Sequence, residues 1–441
     1  MSRRYSLQGW ASPATTRTRV FALGRDVFLR DASTTRWKRG TKGFVSMDRP
    51  ARARPHVFLL SLAFLGFISL GLPDAVTGVA WPSVRDTFGL RQGAVGLVLV
   101  ISGLGYLLSS FFAGRLTHAV GLGLLLAVST GLVAAAMYGF AFSPVWGAFI
   151  LSGWVHGLGS GAIDSGLNGY AAHHMPTRHL IWLHACYCFG ALIGPILMSS
   201  FLSSGRPYSA GYSAVGGTML VMAILFLMTY RSWGETSPAA SPHLPVGAGV
   251  ALRSSTVWLQ MSIFFLYTGL EVTFSQWTYT VLTESRHVGA RTAGLAVGVY
   301  WGCLGAGRVL SGFIADRVGV DRLLRYCFLG ALTGAMLLAS GVSGEAAFLG
   351  VALAGLGLAP AFPCLMSRTP RRLGPQVSAH AIGFQVGAAM IGAAAVPGVL
   401  GVMAGRAGLE AVPVGAAVLL GTLTFLHERL IRLPDVGLAT E

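Results

Sequence analysis

The 441-residue chain is 53% hydrophobic and 11% charged, with 60 glycines and a mean hydropathy of +0.64, which excludes an ordinary soluble globular domain. Its formal net charge of +16 comes from a basic N-terminal stretch and short loops, not from one interleaved basic and aromatic face, so nucleic acid is not expected as a partner. Cys186, Cys188, Cys303, Cys327 and Cys364 fall in apolar stretches without pairing or ligand spacing, so neither a metal nor a cofactor is expected.

Residues 1–52 are rich in Arg, Ser and Thr and hold no apolar run that could cross a bilayer. They read as a disordered basic tail, and Met47, just ahead of the first apolar run, offers an alternative start. Apolar segments then follow at 57–84, 93–113, 120–141, 144–171, 179–203, 210–230, 256–283, 290–314, 322–342, 345–367, 375–403 and 409–427. Each matches the roughly 20 residues that a helix needs to span hydrocarbon, so the fold class is an all-α membrane protein of twelve transmembrane helices. A Ser-, Pro- and Gly-rich linker at 232–255 divides six-helix halves at 53–231 and 256–432, with a tail at 433–441. Loops after even-numbered spans carry the excess of arginine (Arg115, Arg178, Arg231, Arg253, Arg325, Arg368, Arg371 and Arg372 among them), which places both termini in the cytoplasm of a cell-membrane protein.

The halves repeat. A shift of 198 residues lays Gly71-Leu72 on Gly269-Leu270, Gly96-Leu97 on Gly294-Leu295, Gly114 on Gly312 and Val120-Gly121 on Val318-Gly319. A parallel repeat of six spans is one of the arrangements from which transporters with a midplane site between rocking halves are built.

Polar residues inside the spans are the candidate site. Asp164 lies in an otherwise apolar segment whose only other ionisable neighbour is His156, and Asn168, four residues on, shares its helical face. A carboxylate at mid-bilayer costs roughly 3 kcal/mol on insertion scales, so it must look into a cavity or at a partner. Asp74 follows Pro73 and precedes Pro82, so span 1 is expected to lose its hydrogen-bond ladder and expose backbone there. Glu271 in span 7 falls near Pro73 under the repeat and is expected to face Asp74; Gln276 and Trp277 follow it, and Gln385 adds an amide in span 11. Acid, amide and indole together suit a polyol, or an organic cation. His184 and His380, in related positions of spans 5 and 11, could relay a proton or simply pack, and Arg308 could snorkel or pair with an acid.

The loop Gly312-Phe-Ile-Ala-Asp316-Arg317-Val-Gly319-Val-Asp-Arg322 resembles the signature of the major facilitator family; its first-half counterpart has His118 in place of the acid. Asp164-Ser-Gly-Leu-Asn168, the run from Leu183 to Pro195, and Gly305-Ala-Gly-Arg308 are similar to the fucose:proton symporter-like branch. The resemblance implies proton coupling at Asp164, coupling and substrate handling at Asp74, and a conformational role for Asp316, Arg317 and Arg322. Asp164 stands where the branch has Glu, and Gly169 where it has Pro, so no particular sugar is implied. The expectation is a monomeric secondary transporter, not an enzyme, that moves a small sugar-like solute with protons or another cation across the bilayer. A proton-coupled exporter of amphipathic organic cations is the alternative, and a sensor that has lost transport is a third reading.

Overall fold

The computed structural model describes residues 18–23, 26–31, 38–39, 57–175, 177–233 and 248–433. Met47, most of the linker and residues 434–441 lie outside them. The chain divides into two units, Met1–Ala53 and Arg54–Glu441. In the first, β1 (Thr18–Leu23), β2 (Asp26–Asp31) and β3 (Lys38–Arg39) form an antiparallel sheet in the order β1-β2-β3, with Val20 opposite Leu29 and Phe21 opposite Phe28. These strands lie within the stretch read from composition as a disordered tail. Val20, Phe21, Val27, Phe28 and Leu29 give two short segments of strand-forming residues, a local preference that composition averaged over 52 residues conceals.

The second unit is helical. Its first half holds α1 (Val57–Asp74), α2 (Val76–Phe88), α3 (Val95–Val120), α4 (Leu122–Phe142), α5 (Trp146–His174), α6 (Thr177–Ser203) and α7 (Tyr208–Met228). After the short α8 (Ala248–Ala251) come α9 (Ser255–Thr280), α10 (Ala290–Val318), α11 (Val320–Ser340), α12 (Gly344–Leu358), α13 (Ala361–Leu373), α14 (Pro375–Ala407) and α15 (Ala411–Ile431). Among the described residues eleven helices or joined helix pairs are long and apolar enough to cross a membrane. α5 is not among these eleven, although its 29 residues suffice in length; the polar stripe described below accounts for its weaker apolar character. Phe111, Phe142 and Val418 are exposed at 75%, 69% and 63%, as befits side chains that meet lipid instead of water.

The repeat is visible in the elements. α4 and α11 begin and end 198 residues apart, and each is preceded by a glycine with positive φ, Gly121 at 82° and Gly319 at 86°. An L-residue there would be strained, which explains why this glycine appears in both copies. Packing repeats too: α1 on α6 matches α9 on α14, α3 on α5 matches α10 on α12, and α4 on α7 matches α11 on α15.

The halves meet along α6 with α10, along α3 with α14, and where α2 touches α9. Small residues permit the approach: a Cβ on Gly78 would lie 2.8 Å from the Cα of Gln276, and one on Gly96 would lie 2.9 Å from the Cα of Gly398. At the same end of the bundle, Arg85 donates to Glu284 at 2.8 Å, Gln92 donates to the same oxygen at 2.9 Å, and Trp81 donates to Gln92 at 3.2 Å. Glu284 projects from a π-helical turn, Val281–Ser285, and His287 beyond it has φ 56°, the one positive φ outside glycine among the described residues. The turn breaks the α-helical register and turns Glu284 toward the other half.

Span 1 is less open than expected. α1 ends at Asp74 and α2 starts at Val76, with Ala75 still in the right-handed helical region at φ −92°, ψ −5°. Pro73 and Pro82 sit inside the helices, and the interruption is a one-residue break at Ala75, not an unwound segment.

Candidate functional site

α5 supplies one polar face. His156, Ser160, Asp164 and Asn168 recur every fourth residue and so stand above one another along the helix. Asp164 accepts from the Tyr106 hydroxyl of α3 at 2.7 Å through one carboxylate oxygen and from Asn168 Nδ2 at 2.9 Å through the other. Asn168, expected on the same face as Asp164, is there, and its amide is engaged in holding the acid.

Asp74 meets this stripe from α1. Its Oδ2 accepts from the Tyr187 hydroxyl of α6 at 2.8 Å, and its Oδ1 lies 3.3 Å from Nε2 of His156. The carboxylate retains 28% exposure. Being the last residue of α1, directly before α2, it also places its negative charge beside the positive end of α2.

The opposite wall is closed upon itself. Glu271 of α9 accepts from the Tyr267 hydroxyl and from Arg308 of α10 at 3.2 Å, while the Tyr300 hydroxyl donates to its main-chain carbonyl at 3.0 Å. Arg308 reaches the first half as well, with Nη1 3.3 Å from Sγ of Cys188 on α6. Glu271 is thus a neutralised acid, and Arg308 is a paired cation. A bridge to the Asp74 side runs from Tyr187, whose ring meets that of Trp301 edge-on at 5.9 Å; Trp301 in turn donates to Ser275 of α9 at 3.0 Å.

Several expected site residues are elsewhere. Trp277 donates to the Pro397 carbonyl at 3.0 Å, and its ring fills the space against Gly401 between α9 and α14. Gln385 is fully buried, donates to Gln260 at 3.0 Å and accepts from Thr369, so its amide is consumed in joining α14 to α9 and α13. Gln276 is buried at the contact with α2, and its Nε2 has no partner among the described residues. His184 sets its ring against Phe67 at 5.6 Å, a packing contact, and His380 is half-buried in the first turns of α14.

In the signature loop, Arg317 and Arg322 are exposed and the side chain of Asp316 lies outside the described residues. The described charge contacts there belong to Asp321, which takes Arg368 at 2.6 Å and Arg372 at 2.7 Å, tying α11 to α13. Sequence reasoning did not select His156, Tyr106, Tyr187 or Asp321. His156 could have been found, because its spacing from Asp164 and Asn168 in multiples of four was available. The two tyrosines could not, since nothing local tells a tyrosine that meets an acid from one that packs.

A two-half helical bundle with acids gathered between its halves defines a polytopic membrane transporter. The chain belongs to the Major Facilitator Superfamily, whose sequence profile matches residues 62–397 and 259–438. It is 21% identical to human sodium-dependent glucose transporter 1 over 381 residues, covering 77% of this chain and 72% of that protein. It is 20% identical to the glucose/mannose transporter of Bacillus subtilis over 321 residues, 70% of this chain and 79% of the relative. A crystal structure of the E. coli fucose:proton symporter superposes with a TM-score of 0.58 at 17% identity, covering 86% of this chain and 99% of that one. The protein is therefore a multi-pass membrane transporter of small molecules, not an enzyme.

Proposed function

We propose that the protein is a secondary transporter that moves a neutral, sugar-like solute together with protons. The observation that carries this reading is the asymmetry of charge: the second-half acid, Glu271, is held by Arg308, whereas Asp74 and Asp164 face each other's field with only hydroxyl, amide and imidazole partners. A pair of uncompensated carboxylates at this depth is expensive to carry across the bilayer and cheaper once a proton has been added. Asp74 beside Tyr187 and Trp301 offers the solute an acceptor and two aromatic faces. The names of the two glucose-transporting relatives support a sugar as the solute class.

Coupling follows by linkage. If solute binding and protonation favour the same state of the rocking halves, each raises the occupancy of the other, and a proton gradient drives uptake. In this reading the end tied by Arg85 and Glu284 faces outward, both termini are cytoplasmic, and the monomer in the cell membrane is the transporting unit. Export of amphipathic cations is the second reading, favoured by the same acids lying next to aromatic rings.

The test is uptake of labelled glucose, mannose, fucose and tetraphenylphosphonium into proteoliposomes, under an imposed pH or sodium gradient. Wild type is expected to accumulate a sugar under the pH gradient, and Asp164→Asn to lose at least tenfold of that accumulation while still exchanging solute. Accumulation unchanged in the variant, or driven by sodium alone, refutes proton coupling at Asp164. Movement of the phosphonium with no sugar uptake favours the exporter.

A further inference from the structure

We propose that His156, paired with Asp74, holds a second transported proton in addition to the one on Asp164; the inference rests on the proton-coupled reading above. It begins from the partners of the imidazole. Nδ1 lies 3.2 Å from the Ser102 hydroxyl of α3, and Nε2 lies 3.3 Å from the Ser160 hydroxyl of its own helix and 3.3 Å from Oδ1 of Asp74. A ring held for structural reasons alone commonly has one nitrogen fixed as a donor by a carbonyl and the other fixed as an acceptor by a peptide or amide N–H. Here each nitrogen meets a hydroxyl, and a hydroxyl gives or accepts a hydrogen bond by rotating. The neutral ring with its hydrogen on Nε2, facing Asp74, and the imidazolium are both satisfied without moving a heavy atom, because the Ser102 hydroxyl turns from donor to acceptor at Nδ1. A half-buried ring can therefore take up and give up a proton in place without leaving a polar group unpaired, the outcome that would otherwise cost most.

The rest of the surroundings give the proton a destination. The titratable groups around His156 are Asp74 from α1, Tyr106 from α3, Asp164 two turns further along α5, and Tyr187 from α6, while α4 contributes only the Phe140 ring at 6.3 Å. Tyr106 and Tyr187 both donate to carboxylates. When the imidazole takes a proton, an imidazolium stands against the Asp74 carboxylate, and the charge of that pair falls from minus one to zero. A proton on Asp164 then brings the whole constellation to neutrality. The loaded, neutral site is the form that crosses at least electrostatic cost, and both protons leave to the other side with the solute. No bond other than N–H and O–H is made or broken.

The experiment counts protons per solute in proteoliposomes, using the labelled sugar that wild type accumulates and a trapped pH dye, with the membrane potential clamped at zero. Two protons per solute are expected for wild type and one for His156→Gln, which keeps a hydrogen-bonding side chain but has no titrating ring. The steady accumulation at a one-unit pH gradient then falls from about a hundredfold to about tenfold. Solute exchange without a gradient reports that the variant is folded. If the variant does not fold, the wild-type ratio decides alone: one proton per solute overturns the proposal. An unchanged ratio in a folded variant, even with slower uptake, also overturns it and leaves proton coupling intact. Sugar uptake in wild type with no proton movement overturns both readings.

Discussion

Removing the charge from Glu284 should open the end of the bundle at which α2 meets α9. Glu284 Oε2 accepts from Arg85 at 2.8 Å and from Gln92 at 2.9 Å, both from the opposite half. Arg85 and Glu284 are 18% and 25% exposed, so water screens the pair in part. A hydrogen bond to a charged group contributes about 1.5–3 kcal/mol net. Glu284→Gln loses the charge on one such bond and weakens the other, and with the screening the closed state should lose about 2 kcal/mol relative to the open one. At 1.4 kcal/mol per decade the ratio of closed to open molecules shifts by about thirtyfold. Spin labels at Arg91 and Arg406, both exposed and in different halves, report that ratio as two interspin distances in a background with the native cysteines replaced. The exchanged pair, Arg85→Glu with Glu284→Arg, should restore most of the closed population. An unchanged distance distribution in Glu284→Gln refutes the latch; failure of the exchanged pair to recover indicates that the bond from Gln92, which the exchange also removes, is needed for closure beside the ion pair.

Arg308→Ala should be among the most destabilising single changes, because it leaves Glu271 uncompensated inside the bundle; about 3–5 kcal/mol is expected, read as a fall in melting temperature in detergent. Adding Glu271→Gln should recover a large part of that loss, and an Arg308→Ala protein as stable as wild type contradicts the ion pair. Gly78→Ala should disrupt the contact of α2 with α9, since its Cβ would lie 2.8 Å from backbone; the closed population in the spin-label assay should fall, and an unchanged population would mean that the helices shift without consequence. Arg286, whose guanidinium lies 2.7 Å from Glu410, holds that carboxyl below its usual value of 4.5. The contribution of the pair is complete above that value and is lost as pH falls through the lowered one. Acid destabilisation measured from pH 6 to 3 should therefore be shallower in Glu410→Gln, and identical slopes would remove Glu410 from the account.

The spans and the repeat were legible because each rests on a property that every residue in a segment shares. Twenty apolar residues need a helix whatever they pack against, and Gly121 and Gly319 mark the same turn because only glycine is unstrained at φ above 80°. That Asp164 and Asn168 share a face was legible for the same reason, since i and i+4 meet on any helix. What was not legible was each candidate's neighbour. Trp277 and Gln385 have the chemistry of a sugar site, yet one plugs the gap at Gly401 and the other bonds to Gln260. Sequence spacing gives a face; it does not say whether that face looks at a cavity or another helix. The link between His156 and Asp74 joins α5 to α1 and is invisible to any periodicity.

The two halves share a backbone plan but not a charge plan. Under the 198-residue shift the counterpart of Glu271 is Pro73, and the counterpart of Arg308 is Ser110, so the first half has no cation where the second has one. α5, by contrast, carries the stripe of His156, Asp164 and Asn168, whereas the same shift puts Ala354, Phe362 and Met366 at the corresponding positions of α12 and α13. A fold built from duplicated halves is free to divide its labour in this way because rocking needs only matched surfaces, while the site needs charge on one side. The second half is held neutral by Arg308 and made rigid by Tyr267 and Tyr300 around Glu271. The first half keeps its acids, Asp74 and Asp164, on hydroxyl, amide and imidazole partners with no cation of their own, which is where the proposed proton pathway would lie.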